Sequence, residues 1–241
     1  MVSAGGAILI LNLKKLNPRI GRQAFGGRIH LCVMDDTLFD SQVPGQDKRK
    51  ILLHTCCAPC SCSILKRLVD LAWEPAVYFY NPNIYPREEY EKRKREVIRY
   101  AEKLGAAFVD EDSGRDSWFE TVKGHEEDPE RGERCGLCFD MRLGKSAAYA
   151  SENGFRVFTS SLGISRWKDF DQVTRSGEKA ASLFPGLVYW GMNWRKDGGS
   201  AMAAAITKEE SFYRQNYCGC LYSLKSRKKK DLPAINTGRS E

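Results

Sequence analysis

Seven of the nine cysteines fall in three short groups: Cys56, Cys57 and Cys60 in CCAPC, Cys135 and Cys138 in CGLC, and Cys218 and Cys220 in CGC. A CxxC pair sets two thiolates about one helical turn apart, near enough to ligate one ion or cluster. The glycine of CGC lets the backbone fold back, so that both sulfurs can point one way. Seven thiolates exceed what one tetrahedral ion takes. Four could hold an iron–sulfur cluster, leaving three for a second metal or for redox chemistry. Thiolate also suits zinc, so ligand type leaves both metals open. The remaining two cysteines read differently. Cys62 sits within a helical apolar pattern as a small core residue, and Cys32 belongs to an N-terminal stretch with no such pattern.

Distant groups need a scaffold to converge. Residues 50–55 (KILLHT) are a short apolar run, the mark of a buried strand, and Ile64, Leu65, Leu68 and Leu71 recur at helical spacing over 61–73. A second strand is expected over 75–80, then a helix from Pro86 to about Leu104 closed by Gly105. Residues 108–109 and 155–160 read as strands, with a helix over about 138–153 between them. A helix over about 169–183, a strand over 187–190 and a last helix over 201–216 complete the pattern. CCAPC then lies in the turn after the first strand, CGLC at a helix entrance and CGC beyond the last helix. The positive end of a helix stabilises a thiolate. The alternation predicts an α/β fold: one three-layer domain with a mostly parallel sheet and the cysteine-rich metal site at the carboxyl ends of its strands.

The chain carries a net charge of +7, but residues 1–33 hold +5 and residues 225–241 hold +4, which leaves 34–224 at −2. Contact with nucleic acid must therefore rest on local clusters and not on bulk charge. No apolar run reaches the ~20 residues of a membrane-spanning helix. Residues 7–13 lack the basic flank and cleavage site of a secretory signal. A cytoplasmic location is expected, where thiols stay reduced. Residues 1–48 read as a poorly ordered extension, 49–224 as the catalytic domain and 225–241 as a basic tail.

Taken together, CCAPCS, NPNIYPREEYEKR, ERCGLCFDMRL and FYRQNYCGCLYS make the chain resemble the cobalamin-independent epoxyqueuosine reductases of the QueH family over about residues 51–223. The resemblance implies a two-electron reduction of epoxyqueuosine to queuosine at the wobble position of tRNA, the last step of queuosine biosynthesis. It also implies a [4Fe–4S] cluster beside a separate iron ion. The implied fold is like that of the PP-loop and universal-stress (HUP-like) nucleotide-binding proteins, with CCAPC in place of the phosphate loop. By position, Cys56, Cys57, Cys60, Cys135, Cys138, Cys218 and Cys220 become the metal thiolates. The division expected gives Cys57, Cys135, Cys138 and one of the CGC pair, Cys218, to the cluster. Cys56, Cys60 and the remaining cysteine, Cys220, go to the iron. At LGISRWK the family usually has proline after the serine; this chain has Arg166, so that loop departs from the family's pattern.

On this resemblance an iron with an open position would polarise the epoxide oxygen while the cluster passes electrons singly. Tyr213 and Tyr217 are the candidate proton donors, whereas His54, on a buried strand, reads better as a satisfied core histidine. Asn81, Asn83, Tyr90, Arg93, Arg142, Lys168, Lys196 and Arg214 are the candidate tRNA contacts, with Trp194 or Tyr213 available to stack on a base. An electron donor is a further partner; a membrane is not. Two other readings remain from the residues alone. One is a zinc-dependent RNA-binding module. The other is a cluster-containing thiolation enzyme, which would need a Gly/Ser-rich pyrophosphate loop where CCAPC stands.

Overall fold

The structure, a computed structural model, describes residues 50–231, with side chains as far as Arg227. The expected extension over 1–48, including Cys32, and the end of the basic tail lie outside the described residues. Five strands form a parallel sheet: β1 (Lys50–His54), β2 (Glu74–Phe79), β3 (Ala107–Asp110), β4 (Val157–Ser160) and β5 (Val188–Tyr189). Their order is β3-β2-β1-β4-β5. β1 is central, with Leu53 opposite Val77 of β2 on one side and Thr159 of β4 on the other. Ile51 to His54 are all buried, as a strand covered on both faces requires.

The helices are α1 (Ala58–Asp70), α2 (Arg87–Lys103), α3 (Arg115–Thr121), α4 (Glu133–Glu152), α5 (Phe170–Ala181), α6 (Gly199–Glu209) and α7 (Leu221–Asp231). α1 packs on α2 and α6, while α4 packs on α5. Right-handed crossovers put these two sets on opposite faces of the sheet. The three-layer α/β architecture is therefore as expected. One core layer joins Leu52, Tyr78 and Phe158 of the sheet to Phe139, Leu143 and Ala147 of α4 and to Val173 and Ala180 of α5. From β1 the chain first builds outward through β2 and β3, then returns to add β4 on the opposite side. The gap beyond the ends of β1 and β4 is thus the switch point of the sheet, where such folds bind ligands. CCAPC follows β1, and a 3₁₀ turn, Ser161–Ile164, follows β4. The Cys56 amide donates to Ser161 Oγ (3.2 Å) and ties the two turns together.

Several helix limits differ from those expected. α1 starts at Ala58, three residues early, because Pro59 occupies its first turn, where a missing N–H costs nothing. Cys57 is consequently the N-cap residue and Cys60 lies in the first turn. α4 starts at Glu133, so both cysteines of CGLC are helical. α6 stops at Glu209 and does not continue to 216. Ser211 takes a left-handed backbone (φ 53°), the Phe212 amide donates to Thr207 O (3.0 Å), and the Ser211 amide to Lys208 O (3.2 Å). That is a Schellman ending, made here on serine where glycine is usual. The chain from Phe212 to Cys220 is freed from the helix and runs back across the switch point. α3 and α7 were not expected, and α7 carries Lys225 to Lys230 on a helix.

Candidate metal centre

The thiols of Cys56, Cys57 and Cys60 lie within 4.8 Å of one another, the one such trio of His, Cys, Asp or Glu ligands among the described residues. Two thiolates on a tetrahedral ion, each about 2.3 Å from it, stand roughly 3.8 Å apart. The Cys56 and Cys57 sulfurs are 3.8 Å apart. Both residues are buried, and Cys60 is half-buried. Hydrogen bonds from the Cys57 and Cys60 thiols hold Cys56 well below the ordinary thiol range, and the same contact pushes Cys57 up to about 12. One thiolate is therefore already favoured within the trio before any cation arrives. Ser161 Oγ lies 3.6 Å from Cys56 Sγ, and Gln215 Nε2 donates to Cys57 Sγ (2.9 Å). The other amide atom of Gln215, Oε1, is buried without a partner.

Cys135, Cys138, Cys218 and Cys220 form a second neighbourhood. Cys138 and Cys220 share a small apolar cluster with Trp118 and Val122. Burial pushes Cys135 up to about 11 and Cys220 up to about 12, and the nearby Cys218 sulfur adds to both. Cys135 Sγ accepts from the Arg131 amide and Cys220 Sγ from the Ser223 amide, each at 3.3 Å. Such N–H···S contacts stabilise the thiolate form that a metal needs. Between the two groups stands Lys168, whose Nζ is 3.5 Å from Cys218 Sγ. Burial alone would lower this ammonium, but Cys218, Cys56 and Cys60 together hold it above its ordinary value. The donor set is soft and anionic, with Lys168, Arg142, Arg93 and Arg134 supplying positive charge around it. It fits iron–sulfur chemistry and a thiolate-bound ion. Cys56, Cys60, Cys135, Cys218 and Lys168 open onto a cavity of about 910 Å³.

A family model described as epoxyqueuosine reductase QueH matches residues 51–226. The chain belongs to the QueH family. It is 54% identical over 180 residues to an epoxyqueuosine reductase QueH of Histophilus somni, covering 75% of this chain and 74% of that one. The protein of the same name from Haemophilus influenzae is 52% identical over 180 residues, covering 75% and 74%. That of Thermotoga maritima is 31% identical over 185 residues, covering 75% and 93%.

Within this QueH chain the residues singled out from sequence fall into two classes. Asn81, Asn83, Tyr90, Arg93 and Arg142 are buried, with at most 2% of each exposed. Their polar groups serve the interior. Arg142 donates to Asn81 Oδ1 (2.6 Å), and Asn81 donates to Thr55 O (2.9 Å) just before CCAPC. Arg93 pairs with Glu89 (2.7 Å) and donates to Cys218 O (3.1 Å), so it braces CGC from behind. Lys196 and Arg214 are exposed, and Arg214 lines the cavity. Lys168 faces the sulfurs. Tyr217 lines the cavity and its hydroxyl donates to Tyr85 O. Tyr213 instead donates to Glu89 Oε2 (3.1 Å), with Lys92 Nζ 3.4 Å from its ring centroid.

His54 is fully buried between Ser160 Oγ (2.8 Å) and Tyr80 O (3.2 Å), and burial followed by Arg142 lowers its pKa to about 3. It is a neutral core histidine and supplies no proton near neutral pH. Cys62 is buried in α1, its thiol facing Pro59 O and Ala203 O (3.7 Å each), and burial pushes it up to about 11. Trp194 is 1% exposed, edge-on to Trp190 and bonded to Thr159 Oγ1, so it packs inside and meets no base. Gln215 and Ser161 were missed by the sequence reading. Gln215 lies inside FYRQNYCGC, three residues before Cys218, and that adjacency was the available signal. Among the described residues no helix is long and apolar enough to cross a membrane.

Proposed function

We propose that this chain is an epoxyqueuosine reductase acting on the tRNA anticodon, removing the epoxide oxygen to leave queuosine. The observation that carries the reading is a trio of thiols within 4.8 Å at the switch point of the sheet, two of them opening onto the 910 Å³ cavity, in a chain of this family. A cavity of that size takes a modified nucleoside. The reaction consumes two electrons and two protons and releases water.

Cys56, Cys57 and Cys60 would hold the lone iron, which leaves a fourth position for substrate or water. Cys135, Cys138, Cys218 and Cys220 would hold the cluster. This division moves Cys57 from the cluster to the ion, because its sulfur already stands one tetrahedral edge from Cys56. When bound, the two groups supply electrons and a Lewis-acid contact for the epoxide oxygen. Gln215 fixes the Cys57 sulfur with its amide N–H. Lys168 offsets the accumulated thiolate charge. Tyr217, whose pKa burial and then Glu89 push up to about 12, keeps its proton at neutral pH and lines the cavity; it is the candidate donor, and its hydroxyl would have to leave Tyr85 O to act. Tyr213 acts through Glu89 on the Arg93 brace and is a positioning residue in this reading. Phosphate contact falls to Arg214 and Lys196, the exposed members of the expected set. The catalytic unit is residues 49–224, a reduced electron donor is required, and a cytoplasmic setting agrees with reduced thiols.

The test is to incubate reduced, iron-loaded protein with tRNA carrying epoxyqueuosine and to analyse the digested nucleosides. Queuosine is the expected product. Its absence with a cluster-bearing preparation would defeat the reading.

A further inference from the structure

We propose that the exposed indole of Trp167 is the platform on which the anticodon base adjoining the modified nucleoside stacks. The inference rests on the reading of the cavity as a site for an RNA anticodon, and it adds a contact surface outside the metal centre.

Trp167 is 64% exposed, unusual for the largest apolar side chain, and it lines the cavity. Its backbone is held firmly all the same. Ile164, before it, is buried in the 3₁₀ turn, and Lys168, after it, is drawn inward to Cys218. Arg131 donates to both Arg166 O and Trp167 O at 3.0 Å. A loop pinned at three points, with its one large ring left in solvent, is arranged to present that ring. A singly exposed ring is not by itself a sign of a partner; its fixed presentation on a pinned loop, together with the charges around it, is what points to one.

The surroundings select the partner's chemistry. Arg131, Arg166, Arg214 and Arg227 line the same cavity, against one carboxylate, Glu130, which already accepts from Ser223 Oγ. The Arg166 guanidinium lies 4.7 Å from the Trp167 ring centroid. Arginines around an exposed aromatic ring match single-stranded nucleic acid, in which phosphates meet the cations and unstacked bases meet the ring. Position then decides which base. The modified nucleoside must reach the sulfurs inside the cavity, whereas Trp167 stands in solvent, so the ring takes a neighbour that stays outside.

The experiment measures binding of a fluorescein-labelled anticodon stem–loop RNA, with guanosine at the wobble position, to iron-loaded wild type, Trp167→Ala and Trp167→Phe. An RNA duplex of equal length is the control. Loss of one stacked base weakens stem–loop binding on the order of 5- to 150-fold in Trp167→Ala, with Trp167→Phe within about threefold of wild type. The salt slope stays that of wild type, because no charge is removed. Iron content stays equal in all three proteins. In the wild type the stem–loop also quenches a solvent-exposed tryptophan emission that Trp167→Phe lacks. Stem–loop binding by Trp167→Ala as tight as wild type overturns the proposal. A wild type that binds duplex as tightly as stem–loop overturns the anticodon reading beneath it.

Discussion

Replacing Arg93 with methionine removes a guanidinium that reaches from α2 to the CGC loop while keeping much of the side chain's volume. The arginine side chain is 1% exposed and its partner Glu89 10% exposed, so the pair is buried. Removing one member of a buried pair costs about 3–5 kcal/mol, because the other charge is left uncompensated. Tyr213 still donates to Glu89 at 3.1 Å, which favours the low end, about 3 kcal/mol. That is roughly a 150-fold change in the folding equilibrium. With a urea dependence near 2–3 kcal/mol/M, the unfolding midpoint falls by about 1 M. The Cys218 carbonyl also loses its 3.1 Å donor, so the loop carrying Cys218 and Cys220 loosens and iron retention falls with stability. Adding Glu89→Gln to Arg93→Met removes the orphaned charge and recovers more than half of the loss. Urea unfolding of the four proteins of this cycle, with iron content measured on each, is the assay. A single variant within about 0.2 M of wild type, or a double variant no better than the single, would refute the bracing role.

Further outcomes follow from the same geometry. Gly219 has φ +125°, and a Cβ there would stand 3.0 Å from Arg93 Nη1 and 3.2 Å from Ile84 Cγ1. Gly219→Ala should therefore cost about 1–3 kcal/mol and lower iron content; a variant with wild-type stability and loading would contradict it. Cys62→Ala retains the full metal complement, whereas Cys56→Ala loses the lone iron and keeps sulfide, and Cys138→Ala loses sulfide. Iron and acid-labile sulfide analysis separates these three results, and retention of sulfide by Cys138→Ala would refute the assignment. Deleting residues 1–33, all N-terminal to the family match, leaves turnover unchanged within about twofold in a nucleoside assay; a larger loss would make the segment part of the enzyme.

Much of the site could be read from sequence because its parts sit at element ends with strong local signals. The apolar run of β1 followed by Pro59 marks a strand–helix turn, and CCAPC occupies it. What sequence hid was burial of charge. Arg93 was expected to meet tRNA, yet it shares its helix face with the buried Tyr90, Val97 and Tyr100. Its partner Glu89 stands four residues earlier, so the apolar stripe and the i,i+4 acid were the overlooked signals. Lys168 had no such local mark, since Cys218 lies fifty positions away in the chain and only folding joins them. The early end of α6 was hidden for a different reason. A left-handed serine at 211 does what glycine ordinarily signals, and Phe212 continues the apolar pattern past the break.

Metal and sulfide content of the protein purified without oxygen bears most directly on the claim that seven cysteines build two adjoining centres. Two such centres hold about five iron and four acid-labile sulfide per chain and give a broad absorbance at ~400 nm that bleaches on reduction. Zinc without sulfide, in a protein that still binds the stem–loop RNA, would contradict it.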